Sequence, residues 1–578
     1  MSKTPKESLF SFFRRRDSSP EDHDCKKELD NRLAGEQATG RQLSDAGQFA
    51  YAGLCGIALL QLYPEEEYED YKKECINNVV RHINQCDQVR SSVQAIMNGR
   101  GHDCEKPFIQ VISEEEIIKR EGCKLLVNDF IAANLQNGSY DARTRILAKH
   151  LARLLNVDWE EAEDFEQLVV KALQTDQHEM TEEEHALKKK KQLKAKIKRY
   201  ALIGVATVGG GTLIGLTGGL AAPFIAGAVL GSGAAAALGT AGIAVFGTLF
   251  GVAGAGLTGY KMKKRIGDIE EFEFQPITSG QHLAVTIAIS GWLTDSIQDF
   301  RYPWRNLSIS REQFVLKYES KYLHQMGQAI DYLLSFAVSA AAQEALQYTI
   351  LSSLLAAIAW PATLLSAASI IDNPWGVCTQ RSAAVGRHLA EVLLSRQQGR
   401  RPISLIGFSL GARVIFFCLQ EMSRRKNCEG IIEDVVLLGA PVTASKKEWT
   451  SFRKVVAGRI VNGFCRKDWL LKFLYRTTNI QYSIAGLERI DLQDRRMHNF
   501  DLTEIVNGHM DYMNKMDEIL QSIGIPCKRS FQAIIPGSTS LPADLESSVP
   551  QRIKRTASLP SPCYKSNLNN NVTDDKNS

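Results

Sequence analysis

From "QFAYAGLCGIALLQLY" to about residue 180, apolar positions recur every three or four residues, as in "EEIIKREGCKLLVNDFIAANL" and "RTRILAKHLARLLNV". That period places one apolar stripe along each helix and predicts an all-helical N-terminal domain over residues 41–198. Its last part, from "WEEAEDFEQLVVKALQ" to "KAKIKRY", mixes dense charge with a weak stripe and reads as a long surface helix rather than a true coiled coil. The pattern then changes character: Ala201 to Gly259 contains no charged residue. One membrane span needs about 20 apolar residues, so this block is long enough to cross a bilayer twice. Lys188 to Lys191, Lys194, Lys196, Lys198 and Arg199 precede it, and Lys261, Lys263, Lys264 and Arg265 follow it. Positive flanks on both sides predict two cytosolic ends, hence a helical transmembrane hairpin over residues 199–260 that turns between Pro223 and Gly233. Gly211, Gly215 and Gly219 lie four apart, as do Gly227 with Gly231 and Gly247 with Gly251, which gives smooth faces for close helix contact in lipid. The alternative for this block is a Gly/Ala-rich hairpin buried in a soluble protein.

Beyond the hairpin, short apolar runs alternate with amphipathic stretches. The segments 282–293, 313–320, 402–409, 431–441, 458–465 and 481–487 read as strands, and "TQRSAAVGRHLAEVLLSRQ" and "GARVIFFCLQEMSRR" as helices between them. This alternation predicts an α/β domain over residues 275–525, built on a mostly parallel sheet covered on both faces. An apolar stretch at 346–371 interrupts it; Pro361 breaks that run, which favours a buried or lid-like helix pair over a further span. Residues 1–40 and 528–578 are polar and read as a flexible arm and a disordered tail, the latter with Ser558 behind basic residues as a phosphorylation candidate.

Composition narrows the class. The 578 residues carry 69 Lys and Arg against 65 Asp and Glu, a net charge of +4, so no global field recruits nucleic acid. Twelve cysteines occur without a CxxC pair or a cluster at metal spacing, and Met1 leads into "SKTPKESLFSFFRRR" rather than an apolar signal segment. The expectation is an integral membrane protein with a cytosol-facing globular part, reduced thiols, and no metal or cofactor.

The candidate chemistry sits in "SLIGFSLGARVIFF", residues 404–417. G-x-S-x-G alone is a weak signal, but Gly407, Ser409 and Gly411 stand between an apolar strand and an apolar helix, the setting of a nucleophile elbow. Glycines flank the serine because the turn brings strand and helix backbones close. A serine hydroxyl needs a base, and the base needs a carboxylate to hold its tautomer; on such sheets the chain order is Ser, acid, His. Asp468, just past a strand in "NGFCRKDWLLKF", and His509, in the turn "NGHMDY", fill those places. Asp468 has an alternative role as cap of the helix starting at Trp469; Asp491, Asp494 and Asp501 compete for the acid, and His498, in the charged run "DRRMHNF", competes for the base but reads as a solvated loop. The oxyanion donors are expected to be the backbone N–H of Leu410 and, from the loop after an early strand, those of Gly291 and Trp292.

These motifs, "RPISLIGFSLGARVIFFCLQEM", "VVLLGAPV", "DWLLKFLYR", "IAGL" and "GHMDY", occur in order behind a glycine-rich apolar block. Over about residues 40–525 the chain resembles the transmembrane and coiled-coil domain-containing protein 4 family, a domain-of-unknown-function family with an α/β-hydrolase-like fold. The resemblance implies a membrane-associated, hydrolase-like protein using Ser409, Asp468 and His509. Two readings follow: a membrane-bound serine hydrolase acting on an ester or lipid beside the bilayer, and a non-catalytic membrane or trafficking scaffold that keeps the hydrolase shape.

Overall fold

The computed structural model describes residues 39–99, 104–135, 138–178, 249, 250, 257, 260, 269–343, 368–475 and 483–528. All but residues 249, 250, 257 and 260 of the hairpin expected at 199–260, most of the apolar stretch at 346–371, and nearly all of the arm and tail therefore lie outside the described residues. Among the described residues no helix is long and apolar enough to cross a membrane.

The N-terminal region is helical. Asp45–Leu62 (α1) is hidden on most of its surface, as a helix apolar almost all round must be. Ser44 caps it by accepting from the Gly47 N–H at 3.1 Å. Glu69–His82 (α2) packs on it, Lys124–Leu135 (α3) packs on α2, Ala142–Leu154 (α4) packs on α1 and α3, and Trp159–His178 (α5) packs on α3 and α4, with Asp141 capping α4 through the Arg143 N–H at 2.7 Å.

Seven strands follow: Phe272–Pro276 (β1), Val285–Ile289 (β2), Glu312–Tyr318 (β3), Ile403–Phe408 (β4), Ile432–Leu438 (β5), Ile460–Phe464 (β6) and Met497–Asp501 (β7). They form one sheet in the order β1-β3-β2-β4-β5-β6-β7, parallel except for β1, which runs antiparallel to β3. Every residue of β2 and β4 is buried, the signature of parallel strands covered on both faces. The principal helices of this part are Ser320–Gln343 (α6), Ala368–Leu394 (α7) and Leu410–Ser423 (α8), and α7 packs against both α6 and α8.

Two strand expectations need correction. Of the run at 481–487 the described residues 483–487 add no strand to the sheet; Ile484 makes only an isolated bridge to Thr443. The chain turns instead at Gly486, where a Cβ would lie 2.6 Å from the Gly439 carbonyl carbon and 2.7 Å from the Ala440 nitrogen. "DRRMHNF" is not a solvated loop, because its residues 497–500 open edge strand β7, in which His498 faces Val461. The charges just before β7 are absorbed by the helical region: Arg496 donates to Tyr68 Oη at 3.2 Å and lies 3.6 Å from Glu65. β1, with its Phe-Glu-Phe-Gln alternation, begins three residues ahead of the expected α/β boundary.

The helical region docks on the amino ends of the strands. Tyr140 N–H donates to Arg400 O just before β4, and Ala142 N–H to Gly430 O just before β5. Arg145, 1 % exposed, bonds Glu433 at the start of β5 at 2.7 Å and Glu166 of α5 at 2.9 Å; Lys149 reaches Glu433 at 2.5 Å. Buried charges persist only when paired in this way. The arrangement leaves the carboxyl ends of the strands for other use.

Candidate active site

β4 ends at Phe408 and α8 begins at Leu410, so Ser409 alone makes the turn. Its φ of 52° and ψ of −124° lie where L-residues are strained, and its N–H is tied to Leu438 O at 2.9 Å. The flanking glycines are steric necessities. A Cβ at Gly407 would sit 2.8 Å from the Gly411 carbonyl carbon, and one at Gly411 would sit 2.1 Å from Ile289 O.

The side chains at 409, 509 and 468 meet at this turn. Ser409 Oγ is 2.7 Å from His509 Nε2, and His509 Nδ1 is 2.6 Å from Asp468 Oδ2. The other carboxylate oxygen, Oδ1, accepts from the Leu471 N–H at 3.0 Å, so Asp468 also caps the helix Trp469–Leu474 (α9). The contacts that both readings of this residue require are present at once, one per oxygen. With the carboxylate at Nδ1, that nitrogen carries the proton and Nε2 accepts from the serine hydroxyl. Ser409 and His509 are each 2 % exposed and Asp468 is fully buried, so the run of hydrogen bonds is shielded from water.

Two rings hold the imidazole. Trp292 stacks on His509 at 5.1 Å between centroids with planes 25° apart, and Tyr512 meets it edge-on at 5.7 Å. Burial pushes the Tyr512 phenol up, with the nearby Asp468 adding to the shift, so it stays neutral. Neither side chain was singled out from the sequence. Tyr512 lies three residues after His509, and Trp292 was named only for its backbone.

The expected oxyanion donors cluster at the same place. The Leu410 N–H is the first of α8, one of the donors that a helix leaves without an internal acceptor. A Cβ at Gly291 would lie 2.6 Å from Ser409 Cβ and 3.2 Å from Leu410 N, so the loop after β2 runs directly against the elbow. Ser290 pins that loop: its Oγ donates to Phe300 O at 2.9 Å, its carbonyl accepts from Tyr318 Oη at 2.9 Å, and Trp304 Nε1 donates to its Oγ at 3.0 Å.

The competitors lie elsewhere. Asp494 pairs with Arg453 at 2.5 Å, Asp501 with Arg466 at 3.0 Å, and Asp491 is exposed. His498 sits on β7, with its pKa lowered by burial and by Arg459. Among the described residues no His, Cys, Asp and Glu side chains gather as a metal site.

A mixed α/β chain with a hydrogen-bonded serine, histidine and aspartate at the carboxyl ends of parallel strands is hydrolase-like. The chain belongs to the family described as "Protein of unknown function (DUF726)", whose profile matches residues 195–526. It is 46% identical over 495 residues to an uncharacterized membrane protein of Caenorhabditis elegans, covering 84% of this chain and 80% of that one. It is 41% identical to the transmembrane and coiled-coil domain-containing protein STS1 of rice, over 66% of this chain and 61% of that protein. It is 33% identical to the probable lipase MIL1 of Saccharomyces cerevisiae, over 69% of this chain but only 38% of that protein. No solved structure matches.

Proposed function

We propose that this chain is a membrane-associated serine hydrolase of the α/β-hydrolase type that cleaves an ester, with a lipid as substrate. Ser409 Oγ attacks the ester carbonyl carbon while His509 Nε2 takes its proton, and Asp468 holds the imidazole and stabilises the cation that forms. The N–H groups of Leu410 and of Gly291 or Trp292 receive the developing oxyanion. Collapse breaks the ester C–O bond, His509 returns the proton to the leaving alcohol, and a water deprotonated by His509 then releases the acid from Ser409. The observation that carries this reading is the unbroken run Ser409–His509–Asp468 at 2.7 and 2.6 Å, on a strained strand-to-helix turn. Membrane association is supported by the membrane-protein names of the nematode and rice relatives and by the uncharged block Ala201 to Gly259; the name of the yeast relative supports a lipid substrate.

The test is covalent labelling of the full-length protein in detergent or membranes with a fluorophosphonate probe. Labelling that vanishes in Ser409→Ala and weakens strongly in His509→Ala is the expected result. Folded protein that takes no label, even on long exposure, would leave the non-catalytic scaffold as the better reading.

A further inference from the structure

One face of α8, starting a single turn after Ser409, lines a cavity of about 310 Å³. That is roughly the space of ten waters. Its walls are mainly apolar: Phe416 and Phe417 from α8, Val442 from the segment after β5, and Ile484 with Tyr475 opposite. At the end nearest the elbow stands Arg413, whose own N–H donates to Ser409 O at 3.0 Å.

Arg413 is unusual among the arginines at the core of this fold. Arg145 and Arg401 are paired with carboxylates. Arg413 is half-buried, yet among the described residues it has no carboxylate partner: its Nε donates to Thr379 O at 3.1 Å and its Nη1 to Pro441 O at 2.9 Å, both neutral carbonyls. It lies over the Phe417 ring at 4.7 Å. Burial pulls its pKa down and the nearby Arg387 adds to that, while Tyr475 opposes it. The acid on the cavity wall, Glu448, is held by Gln420 Nε2 at 2.9 Å and so belongs to the far end of the groove, near the last turns of α8. A half-buried guanidinium without a carboxylate partner, at the head of an apolar groove, is an incomplete anion site.

We propose that Arg413 binds the phosphate of an anionic phospholipid, with an apolar chain of that lipid lying along Phe416, Phe417, Val442 and Ile484. This rests on the hydrolase reading for its consequence: the lipid ester presented to Ser409 is the one beside that phosphate, so the part of the substrate retained in the cavity after cleavage is a lysophospholipid with a negatively charged head. A neutral glyceride would fill the groove and leave Arg413 unpaired. Selectivity for the anionic lipid follows from the charge, and selectivity for a lipid over free phosphate follows from the walls.

The experiment measures equilibrium binding to full-length Ser409→Ala protein in detergent, using decanoyl lysophosphatidic acid, decanoylglycerol and inorganic phosphate as separate ligands. The expected order is lysophosphatidic acid tightest, with each of the others at least tenfold weaker. Arg413→Gln should weaken lysophosphatidic acid by about ten- to a hundredfold, the range of a hydrogen bond to a charged group, and leave decanoylglycerol within about threefold. Because Arg413 also ties Thr379 and Pro441 together, two further variants guard against a folding defect. Arg413→Lys should keep the preference for the anionic lipid, and Glu448→Gln, which removes the like charge on the wall, should tighten that lipid alone. Equal affinity for the anionic and neutral amphiphiles, or equal loss of both in Arg413→Gln with no gain in Glu448→Gln, overturns the proposal. Selective binding together with no fluorophosphonate labelling of the parent protein would instead remove the hydrolase reading and leave the site standing.

Discussion

Asp468 offers a way to separate chemistry from stability, because its two oxygens do different things. Oδ2 faces His509 Nδ1 at 2.6 Å and Oδ1 caps α9 through Leu471 at 3.0 Å. In Asp468→Asn the amide oxygen can keep the cap, but the NH₂ group now faces Nδ1 and drives the imidazole to the opposite tautomer. Nε2 then carries a proton toward Ser409 and can no longer accept one. In serine hydrolases with this constellation the equivalent change costs about 10⁴-fold in turnover. Its stability cost is small, of the order of 0.3–1 kcal/mol for a charge lost at a helix start. Asp468→Ala removes both functions: the cap is worth about 1 kcal/mol, and leaving the buried ring N–H unpaired costs about 1–3 kcal/mol. The total, about 2–4 kcal/mol, corresponds to a fall in melting temperature of about 4 °C or more for a domain of this size. The assay is the second-order rate of fluorophosphonate labelling beside thermal melting of the same samples. Labelling of Asp468→Asn within tenfold of the parent, or melting of Asp468→Asn as low as that of Asp468→Ala, would refute the division of labour.

Other outcomes follow from the same geometry. Gly411→Ala puts a Cβ 2.1 Å from Ile289 O, against backbone that cannot step aside, so it should cost more than the ordinary 1–3 kcal/mol of overpacking and abolish labelling. Gly376→Ala in α7, where a Cβ meets nothing within 4 Å, should raise the melting temperature slightly through helix propensity, worth up to about 1 kcal/mol. Burial alone would raise the Glu433 pKa, but Arg145 and Lys149 more than offset it and hold the carboxyl at about 2. A lowered folded-state value contributes stability at pH above about 4.5, lost as pH falls from there toward 2. Acid unfolding followed by circular dichroism should accordingly be shallower over that range in Glu433→Gln. Alkaline carbonate extraction should leave the full-length chain in the membrane pellet, and release to the supernatant would count against the hairpin.

The site was legible where its signal is local and obscure where it depends on the rest of the chain. Gly407, Ser409 and Gly411 report a strand, a strained turn and a helix within a few residues, and the order Ser, Asp, His follows from how parallel strands succeed one another. The capping and orienting roles of Asp468 could not be ranked from sequence because the carboxylate performs both. β7 was hidden by Arg495 and Arg496, whose charges look solvated until Tyr63, Tyr68 and Glu65 of the helical region come into contact with them. "QYSIAGL" passed for a strand because a short apolar run carries no period; what it encodes is the glycine that lets 486 lie against 439 and 440. The stacking of Trp292 on His509 joins residues more than 200 positions apart, beyond the reach of any spacing rule.

On the hydrolase reading, the proposed nucleophile Ser409, 2 % exposed, reacts only in those molecules whose covering has parted. Every observed rate is then the intrinsic rate multiplied by the open fraction, so a molecule open one part in a hundred works at about a hundredth of its capacity. Ratios between Ser409, His509 and Asp468 variants are unaffected if that fraction is shared, whereas absolute rates report on access. An amphiphile or interface that favours the open form would therefore act as an activator without touching the reacting atoms.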